Sequence, residues 1–149
     1  MQYRFIDQND VTTLAELRME YFRETSNQSL LDEILPNTIR YLEDELNTGA
    51  LTGVVAVLGE RIVAVGLLSV FSVMPTVRNT TGKRGYLFNF HTRPEYRRQG
   101  IATSILNQLM NEARRRGVCD LFLNAREMAI PLYGKVGFHF LQHEMRVRL

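Results

Sequence analysis

The spacing of apolar residues changes several times along the chain, from the alternation typical of strands to the three-and-four spacing of amphipathic helices. Residues 3–6 predict a short strand. Asp10 is a predicted helix N-cap, and the stripe that follows it at helical spacing is Val11, Leu14, Leu17 and Tyr21. Residues 26–36 predict a short helix ended by Pro36, and a second helix follows as far as Gly49.

The middle and the end of the chain alternate strands with helices. Two β-rich runs, residues 51–58 and 62–73, are joined by Gly59-Glu60-Arg61, which predicts a hairpin. After a polar loop, we expect a strand, a helix, a strand, a short helix and one or two closing strands, at residues 85–92, 101–116, 118–123, 127–136 and 138–149. The closing strands are expected to turn around Gln142.

This order predicts a mixed α/β sheet with helices on both faces, folded as one domain over residues 1–149. The unit from residue 85 to residue 123 is expected to place two parallel strands side by side, joined by a right-handed crossover. A ligand then belongs at the carboxyl ends of those strands. The sequence contains no internal repeat, low-complexity tract or linker that would divide it.

The composition of the chain disfavours several classes of protein but does not identify a function. The chain has 45% hydrophobic and 23% charged residues, and its net charge of +2 is too small to argue for nucleic acid. Cys119 is the one cysteine, which excludes an internal disulfide and a cysteine-built metal cluster, and its apolar surroundings predict a core position. The N-terminus has no apolar signal core, and the longest apolar run, residues 62–74, is too short to span a bilayer. We therefore expect a cytoplasmic protein with no metal, no nucleic-acid partner and no membrane contact.

The most informative stretch is RRQGIA at residues 97–102, which joins a predicted strand to a predicted helix. A helix start has backbone N–H groups without intrahelical partners and a partial positive charge. Gly100 permits a ligand to approach the backbone, and the flanking guanidiniums add cationic donors. These features predict a pyrophosphate site, with the open alternative that Gly100 is an ordinary turn glycine and that Arg97 and Arg98 are solvated surface charges. Neither G-x-G-x-x-G after a strand nor G-x-x-x-x-G-K-[ST] occurs, which disfavours dinucleotide and P-loop folds.

Two segments resemble the signatures of the GNAT N-acetyltransferase family. The segment NFHTRPEYRRQGIA, residues 89–102, resembles the family's motif A, whose core is Q/R-x-x-G-x-G/A. The later segment PLYGKVGF, residues 131–138, resembles the second signature, L-Y-x-K-x-G-F. The resemblance implies the acyl-CoA N-acyltransferase fold, which has a mostly antiparallel central sheet, a splayed pair of parallel strands and helices on both faces.

The same resemblance implies acetyl-CoA as the acyl donor and a primary amine as the acceptor. Backbone N–H groups of residues 98–102, assisted by Thr103, would hold the pyrophosphate, and the pantetheine arm would pair with the main chain near Phe90 like an added strand. Tyr133 matches the family's general acid, which protonates the leaving thiolate after the amine attacks the thioester through a tetrahedral intermediate. The implied donor-binding residues are Phe90, His91, Thr92, Arg97, Arg98, Gln99, Gly100, Ile101, Ala102, Thr103, Asn124 and Tyr133.

Several assignments stay open. Arg126 stands where many family members carry asparagine, and Asn124 is the candidate to supply part of the missing polarity. The general base is unassigned, because strand alternation can turn His91 away from the donor, and a water chain is an equal alternative. The residues that are candidates to line an acceptor pocket are Arg18, Glu20 and Glu144.

No motif in the sequence identifies the acceptor. Small amines, amino acids, polyamines, aminoglycosides and protein N-termini therefore all stay open. Two alternatives to an enzyme are a non-catalytic acyl-CoA-sensing module and a structural domain that shares the sheet. The terminal strands offer edges through which two copies can pair, so a homodimer is also open.

Overall fold

The computed structural model describes residues 1–23, 26–141 and 145–149. The strands and α-helices follow in the order β1 (Gln2–Phe5), α1 (Val11–Phe22), α2 (Gln28–Thr48), β2 (Leu51–Leu58), β3 (Arg61–Ser72), β4 (Lys83–Thr92), α3 (Ile101–Arg115), β5 (Asp120–Leu123) and α4 (Ile130–Gly134). Short 3₁₀ turns precede α1, α3 and α4 at Gln8–Asp10, Pro94–Tyr96 and Glu127–Ala129.

The strands form one sheet in the order β1-β2-β3-β4-β5. Consecutive strands from β1 to β4 pair antiparallel, and β4 pairs parallel with β5. β2 and β3 form the predicted hairpin, and α3 connects the two parallel strands as expected. The predicted mixed α/β sheet is therefore confirmed, although β4 begins two residues earlier and β5 two residues later than the sequence indicates.

Helices cover both faces of the sheet, and each face has its own apolar core. On one face, α3 and α4 pack against the strands through side chains such as Ile105 and Leu109. On the other face, α1 and α2 form a second core that includes Leu14. Neighbouring residues of β2 point to opposite cores, with Val54 in the first and Val55 in the second, as strand alternation requires. Among the described residues, no helix is both long enough and apolar enough to cross a membrane.

The prediction that Pro36 ends a helix is wrong, because α2 continues through it. Pro36 is exposed, so its ring does not disturb the core. The side-chain amide of Asn37 donates to the Glu33 carbonyl at 3.3 Å in the same turn. Leu31 before the proline and Leu42 after it are both buried. Burial of apolar side chains on both sides of the proline outweighs its local cost to the helix.

Asp10 occupies the position before α1, but its side chain does not cap that helix. Both of its carboxylate oxygens accept hydrogen bonds from Arg4 at 2.7 Å, and one also accepts from the Asp7 N–H at 3.0 Å. The hydrogen bonds from Arg4 lower the pKa of Asp10. The carboxylate therefore fastens β1 to the turn that precedes α1.

Cys119 is exposed, so the prediction of a core position is wrong. β5 begins only at Asp120, and Val118 is the residue of this segment that fills the core. The Cys119 sulfur lies 3.0 Å from Asn79 Oδ1 in the loop that precedes β4.

The predicted closing strands are absent from the described part of the C-terminal segment, residues 138–141 and 145–149. The expected turn at Gln142 and the candidate Glu144 lie outside the described residues. A strand requires a neighbour that takes its backbone hydrogen bonds, and β5 remains the edge of the described sheet. Alternating apolar residues such as Phe140, which is 77% exposed, are therefore insufficient to specify a strand here.

Candidate functional site

Residues 97–103, which lead from β4 into α3, form a structure that we call the helix turn. Arg98 and Gly100 adopt positive φ angles of 61° and 77°. The first hydrogen bond of α3 joins the Ser104 N–H to the Gly100 carbonyl at 3.0 Å, so the N–H groups of residues 101–103 precede the helical ladder. The helix turn therefore presents main-chain donors at the positive end of a helix, an arrangement that suits phosphate oxygens.

Gly100 lies at an open point of the helix turn. A Cβ placed on this residue would meet no atom within 4 Å, so packing does not require glycine. The positive φ angle and the uncovered backbone are what distinguish the position. A ligand can therefore approach these main-chain N–H groups closely.

Other side chains of this region hold the turn in shape. Arg97 donates from Nε to the Thr92 carbonyl at 2.9 Å, which ties the helix turn to the end of β4. Ser104 Oγ contacts the Gly100 carbonyl at 3.3 Å. The main chain, more than the arginine side chains, therefore defines the open surface of the helix turn.

β4 and β5 separate before β4 ends. Leu87 and Leu123 are the last paired residues of the two strands, whereas β4 continues to Thr92. We call residues 88–92, with which no described strand pairs on the β5 side, the β4 cleft. An extended ligand can pair with this main chain as an added strand. The cleft contains three predicted donor-binding residues: Phe90, His91 and Thr92.

A bulge in β4 lies within the cleft. Asn89 and Phe90 together oppose the single residue Gly66 of β3, and Asn89 has a φ angle of 53°. The bulge interrupts the alternation of side chains, so that Phe88 and Asn89 both face α1 and α2 while Phe90 joins the core under α3. A bulge also leaves one residue without a partner in the hydrogen-bond pattern between the two strands.

Tyr133 of α4 lies beside the β4 cleft, on the α3 side of the sheet. The residue is 7% exposed, and its ring packs edge-on against Phe90 and Phe138 at centroid distances of 6.0 and 5.9 Å. Burial raises the pKa of the hydroxyl, so the phenol keeps its proton at neutral pH. A cavity of about 580 Å³ along β5 extends to Tyr133.

His91 and Arg126 lie on the α1 side, away from Tyr133. The ring centroids of His91 and Tyr21 are 5.9 Å apart, and the Arg126 guanidinium lies 4.3 Å from the centroid of the same tyrosine ring. Asn124, at the end of β5, donates from Nδ2 to the Tyr86 hydroxyl at 3.2 Å. The structure therefore separates His91 from the predicted general acid.

A cavity of about 460 Å³ lies between α1, α2 and β4, and we call it the α1–α2 cavity. Its lining consists of Leu14, Arg18, Phe22, Ile34, Asn37, Thr38, Tyr41, Leu42, Leu67, Phe88 and Asn89. Most of these side chains are apolar or aromatic, and Arg18 is the one charged residue in this described lining. A cavity of this size and composition suits a small-molecule ligand.

Arg18 extends from α1 into the cavity, in agreement with its place among the candidate linings. Its Nη1 donates to Asn89 Oδ1 at 2.7 Å, and its guanidinium carbon lies 4.8 Å from the centroid of the Phe22 ring. Burial lowers the pKa of Arg18, although an arginine remains charged at neutral pH. Glu20, another candidate lining, instead pairs with Arg93 at 2.8 Å outside the cavity.

Sequence reasoning missed most of the cavity. Tyr41 and Phe88 lie together, with ring centroids 6.3 Å apart, because α2 is one continuous helix and β4 is bulged. Apart from the candidate Arg18, the signal in the sequence was the polar Asn89 inside an apolar strand. Among the described residues, no cluster of three or more His, Cys, Asp or Glu side chains is placed to hold a metal.

A splayed parallel pair within a mostly antiparallel sheet, with a helix turn at its open end, is the fold of the acyl-CoA N-acyltransferases. A model of the acetyltransferase (GNAT) family matches residues 11–138 of the sequence. The chain belongs to this family.

Comparison with individual proteins agrees with this membership. The crystal structure of a predicted acetyltransferase with acetyl-CoA from Clostridium acetobutylicum has a TM-score of 0.91 and 28% identity, covering 99% of this chain and 95% of that one. The [ribosomal protein bS18]-alanine N-acetyltransferase of Escherichia coli K12 is 41% identical over 56 residues, which are 36% of this chain and 38% of that protein. Glucosamine 6-phosphate N-acetyltransferase of Trypanosoma brucei brucei is 29% identical over 80 residues, covering 52% of this chain and 54% of the relative. These two curated relatives are thus matched over less than two thirds of their length.

Proposed function

We propose that this protein transfers the acetyl group of acetyl-CoA to a primary amine. The observation that carries the proposal is the β4 cleft, which opens beside the helix turn and ends next to Tyr133. The similar Clostridium acetobutylicum structure contains acetyl-CoA, which supports the same donor here. When bound, acetyl-CoA supplies an acyl group activated as a thioester.

Main-chain groups of this chain fit such a donor. The N–H groups of residues 98–102 and the side chain of Thr103 would hold the pyrophosphate, while the β4 main chain from Phe90 to Thr92 would pair with the pantetheine arm. The open space above Gly100 supports this fit. Asn124 would stand at the opposite wall of the cleft.

The acceptor approaches from the α1–α2 cavity, across the bulge of β4. Its nitrogen attacks the thioester carbonyl carbon, so a C–N bond forms and the electron pair of the breaking C–S bond passes to sulfur. Tyr133 gives its hydroxyl proton to that sulfur and later recovers a proton from solvent. The raised pKa of Tyr133 suits this role, because the phenol must be protonated when the thiolate leaves.

The nitrogen's surplus proton is best assigned to water. The described lining of the α1–α2 cavity contains no carboxylate and no imidazole. His91 stands on the α1 side against Tyr21 rather than in that lining. A water path to solvent removes the proton without a dedicated base.

Thiol release from acetyl-CoA, followed across a panel of primary amines, tests the proposal. The expected result is amine-dependent release together with an N-acetylated product seen by mass spectrometry. The same protein should also gain about 2.7 kcal/mol of stability with coenzyme A at a hundred times its Kd. Stabilisation without release for any amine would indicate an acyl-CoA-sensing module, and no stabilisation would indicate a structural domain.

A further inference from the structure

We infer that the α1–α2 cavity selects amines that carry a carboxylate on an apolar body, and that Arg18 binds this carboxylate. The inference rests on the proposed N-acetyl transfer, since it names the class of acceptor that the same site takes. Arg18 thereby determines specificity and takes no part in the bond-making step.

The charge of Arg18 is not offset by a carboxylate among the described residues. Its hydrogen bond goes to the neutral amide of Asn89, and the Phe22 ring lies beside its guanidinium. The other partly buried arginines of the described chain, Arg84, Arg93 and Arg116, are each paired with a carboxylate at 2.6–2.8 Å. A guanidinium has five N–H donors, and removing its charge from water is costly unless an anion approaches. Arg18 is therefore prepared to receive an anionic ligand.

The rest of the lining favours a carboxylate over a phosphate. One guanidinium balances the single charge of a carboxylate, whereas a phosphate monoester carries nearly two charges at neutral pH. Apolar and aromatic side chains such as Leu14, Phe22 and Phe88 provide most of the remaining surface. Burial raises the pKa of the Tyr41 hydroxyl, so this group adds a neutral donor and no second charge. An apolar body suits such walls better than the hydroxyl groups of a sugar phosphate.

The position of Arg18 also limits the distance between the carboxylate and the amine. Its partner Asn89 is a residue of the β4 bulge, directly before Phe90 in the β4 cleft. A carboxylate bound by Arg18 therefore lies close to the part of β4 where the acyl group is expected. This geometry favours an amine and a carboxylate separated by few bonds, as in an α-amino acid.

Matched pairs of probes test the inference. L-phenylalanine and phenethylamine differ only in the carboxylate, as do L-leucine and isopentylamine, while glucosamine 6-phosphate and glucosamine report on phosphate. Binding is measured by calorimetry with coenzyme A present, and turnover by thiol release from acetyl-CoA. We expect each amino acid to exceed its decarboxylated partner by about 10- to 100-fold in affinity and in kcat/KM, as for a hydrogen-bonded charge pair. We expect no comparable gain from the sugar phosphate.

Two arginine variants make the test specific to the cavity. Arg18→Met keeps an apolar side chain of similar length, and it should remove the preference for the amino acids. Its kcat/KM should fall far more for phenylalanine than for phenethylamine, and an unchanged KM for acetyl-CoA together with an unchanged melting temperature would exclude misfolding as the cause. Arg23→Met removes an exposed charge just beyond the end of α1 and should preserve the preference.

The outcomes separate this inference from the proposed function. Turnover without a carboxylate preference, or a preference for the sugar phosphate, would overturn the carboxylate site and leave the enzyme. Carboxylate-dependent binding that Arg18→Met abolishes, without turnover of any amine, would keep the site and overturn the enzyme. Equal losses for phenylalanine and phenethylamine in Arg18→Met would also contradict the role given to Arg18.

Discussion

The helix turn and the α1–α2 cavity lie at opposite sides of β4 and are built from different parts of the chain. The helix turn is a run of consecutive residues, 97–103, that offers main-chain N–H groups. The α1–α2 cavity is lined by side chains from separate elements, and its contact between Arg18 and Asn89 joins residues 71 positions apart. One site therefore depends on backbone geometry and the other on side-chain identity.

Recognition of the proposed donor and recognition of the proposed acceptor can therefore change separately. A main-chain site keeps its hydrogen-bond donors through most substitutions, provided that the backbone conformation is preserved. A side-chain site changes its ligand when a single residue changes, and we expect this of Arg18. The similar proteins named above, which act on a protein alanine and on an amino-sugar phosphate, differ in acceptor within one family.

The largest effect is expected from Gly100→Val. The side chain would occupy the space through which a phosphate reaches the main chain, so acetyl-CoA binding and turnover should be lost. Calorimetric titration with acetyl-CoA measures the binding, and thermal unfolding with coenzyme A should show that the stabilisation of about 2.7 kcal/mol has gone.

A matched glycine separates this effect from backbone strain. Gly59, in the hairpin between β2 and β3, also has a positive φ angle, and a Cβ added there would likewise meet no atom within 4 Å. Gly59→Val should cost a similar stability, about 1–2 kcal/mol, yet keep acetyl-CoA affinity. Equal binding by both variants would show that the helix turn does not hold the donor.

The next largest effect is expected from Tyr133→Phe. Loss of the hydroxyl should lower kcat by roughly 10²- to 10⁴-fold, the range typical of a positioned acid, and change acetyl-CoA affinity little. Steady-state kinetics and calorimetry measure the two quantities. Tyr3→Phe, which alters a partly buried tyrosine packed against the same core, serves as the control. Unchanged turnover in Tyr133→Phe would remove this residue from the chemistry.

The smallest effect is expected from Glu112→Gln, which alters the contacts between the end of α3 and the end of α2. Glu112 of α3 accepts hydrogen bonds from Arg115 and Arg116, and Arg116 also donates to the Gly49 carbonyl at the end of α2 at 2.7 Å. Hydrogen bonding from Arg115, followed by that from Arg116, outweighs burial and lowers the pKa of Glu112 to about 2. Glu112→Gln should therefore reduce the free energy of unfolding by about 1–3 kcal/mol at pH 7, since hydrogen bonds to charged groups contribute in this range.

The pH dependence of this loss is fixed by the lowered pKa. A carboxylate whose folded pKa lies below its ordinary value of 4.5 stabilises the fold above that value, and the contribution fades as pH falls toward 2. Urea unfolding from pH 7 to pH 2 should show the two proteins converging. Glu16→Gln, on the exposed side of α1, should differ little from wild type throughout. A difference for Glu112→Gln that persists at pH 2 would refute this role of the carboxylate.

The contrast between the two sites also explains what the sequence could predict. Residues 89–103 are consecutive in the chain, so the sequence alone could predict a turn, a glycine and a helix start in one segment. Tyr133 followed from a second local segment. The α1–α2 cavity depends on contacts such as that of Arg18 with Asn89, and no local pattern encodes them.

The wrong predictions about the fold also arise from contacts between distant parts of the chain. Pro36 is a strong local signal for a helix end, yet tertiary burial of Leu31 and Leu42 keeps α2 intact. Cys119 lies in an apolar run, yet the late start of β5 leaves it exposed. In each case tertiary packing determines the local structure, and the spacing of residues in the sequence does not reveal that packing.

A crystal structure of the protein with acetyl-CoA is the sharpest test of whether the helix turn and the β4 cleft bind the donor. We expect pyrophosphate oxygens within about 3 Å of the main-chain nitrogens of the helix turn. We also expect the pantetheine arm along the β4 cleft and the thioester sulfur beside the Tyr133 hydroxyl. Acetyl-CoA bound away from the helix turn, or with its sulfur remote from Tyr133, would contradict this placement of the donor.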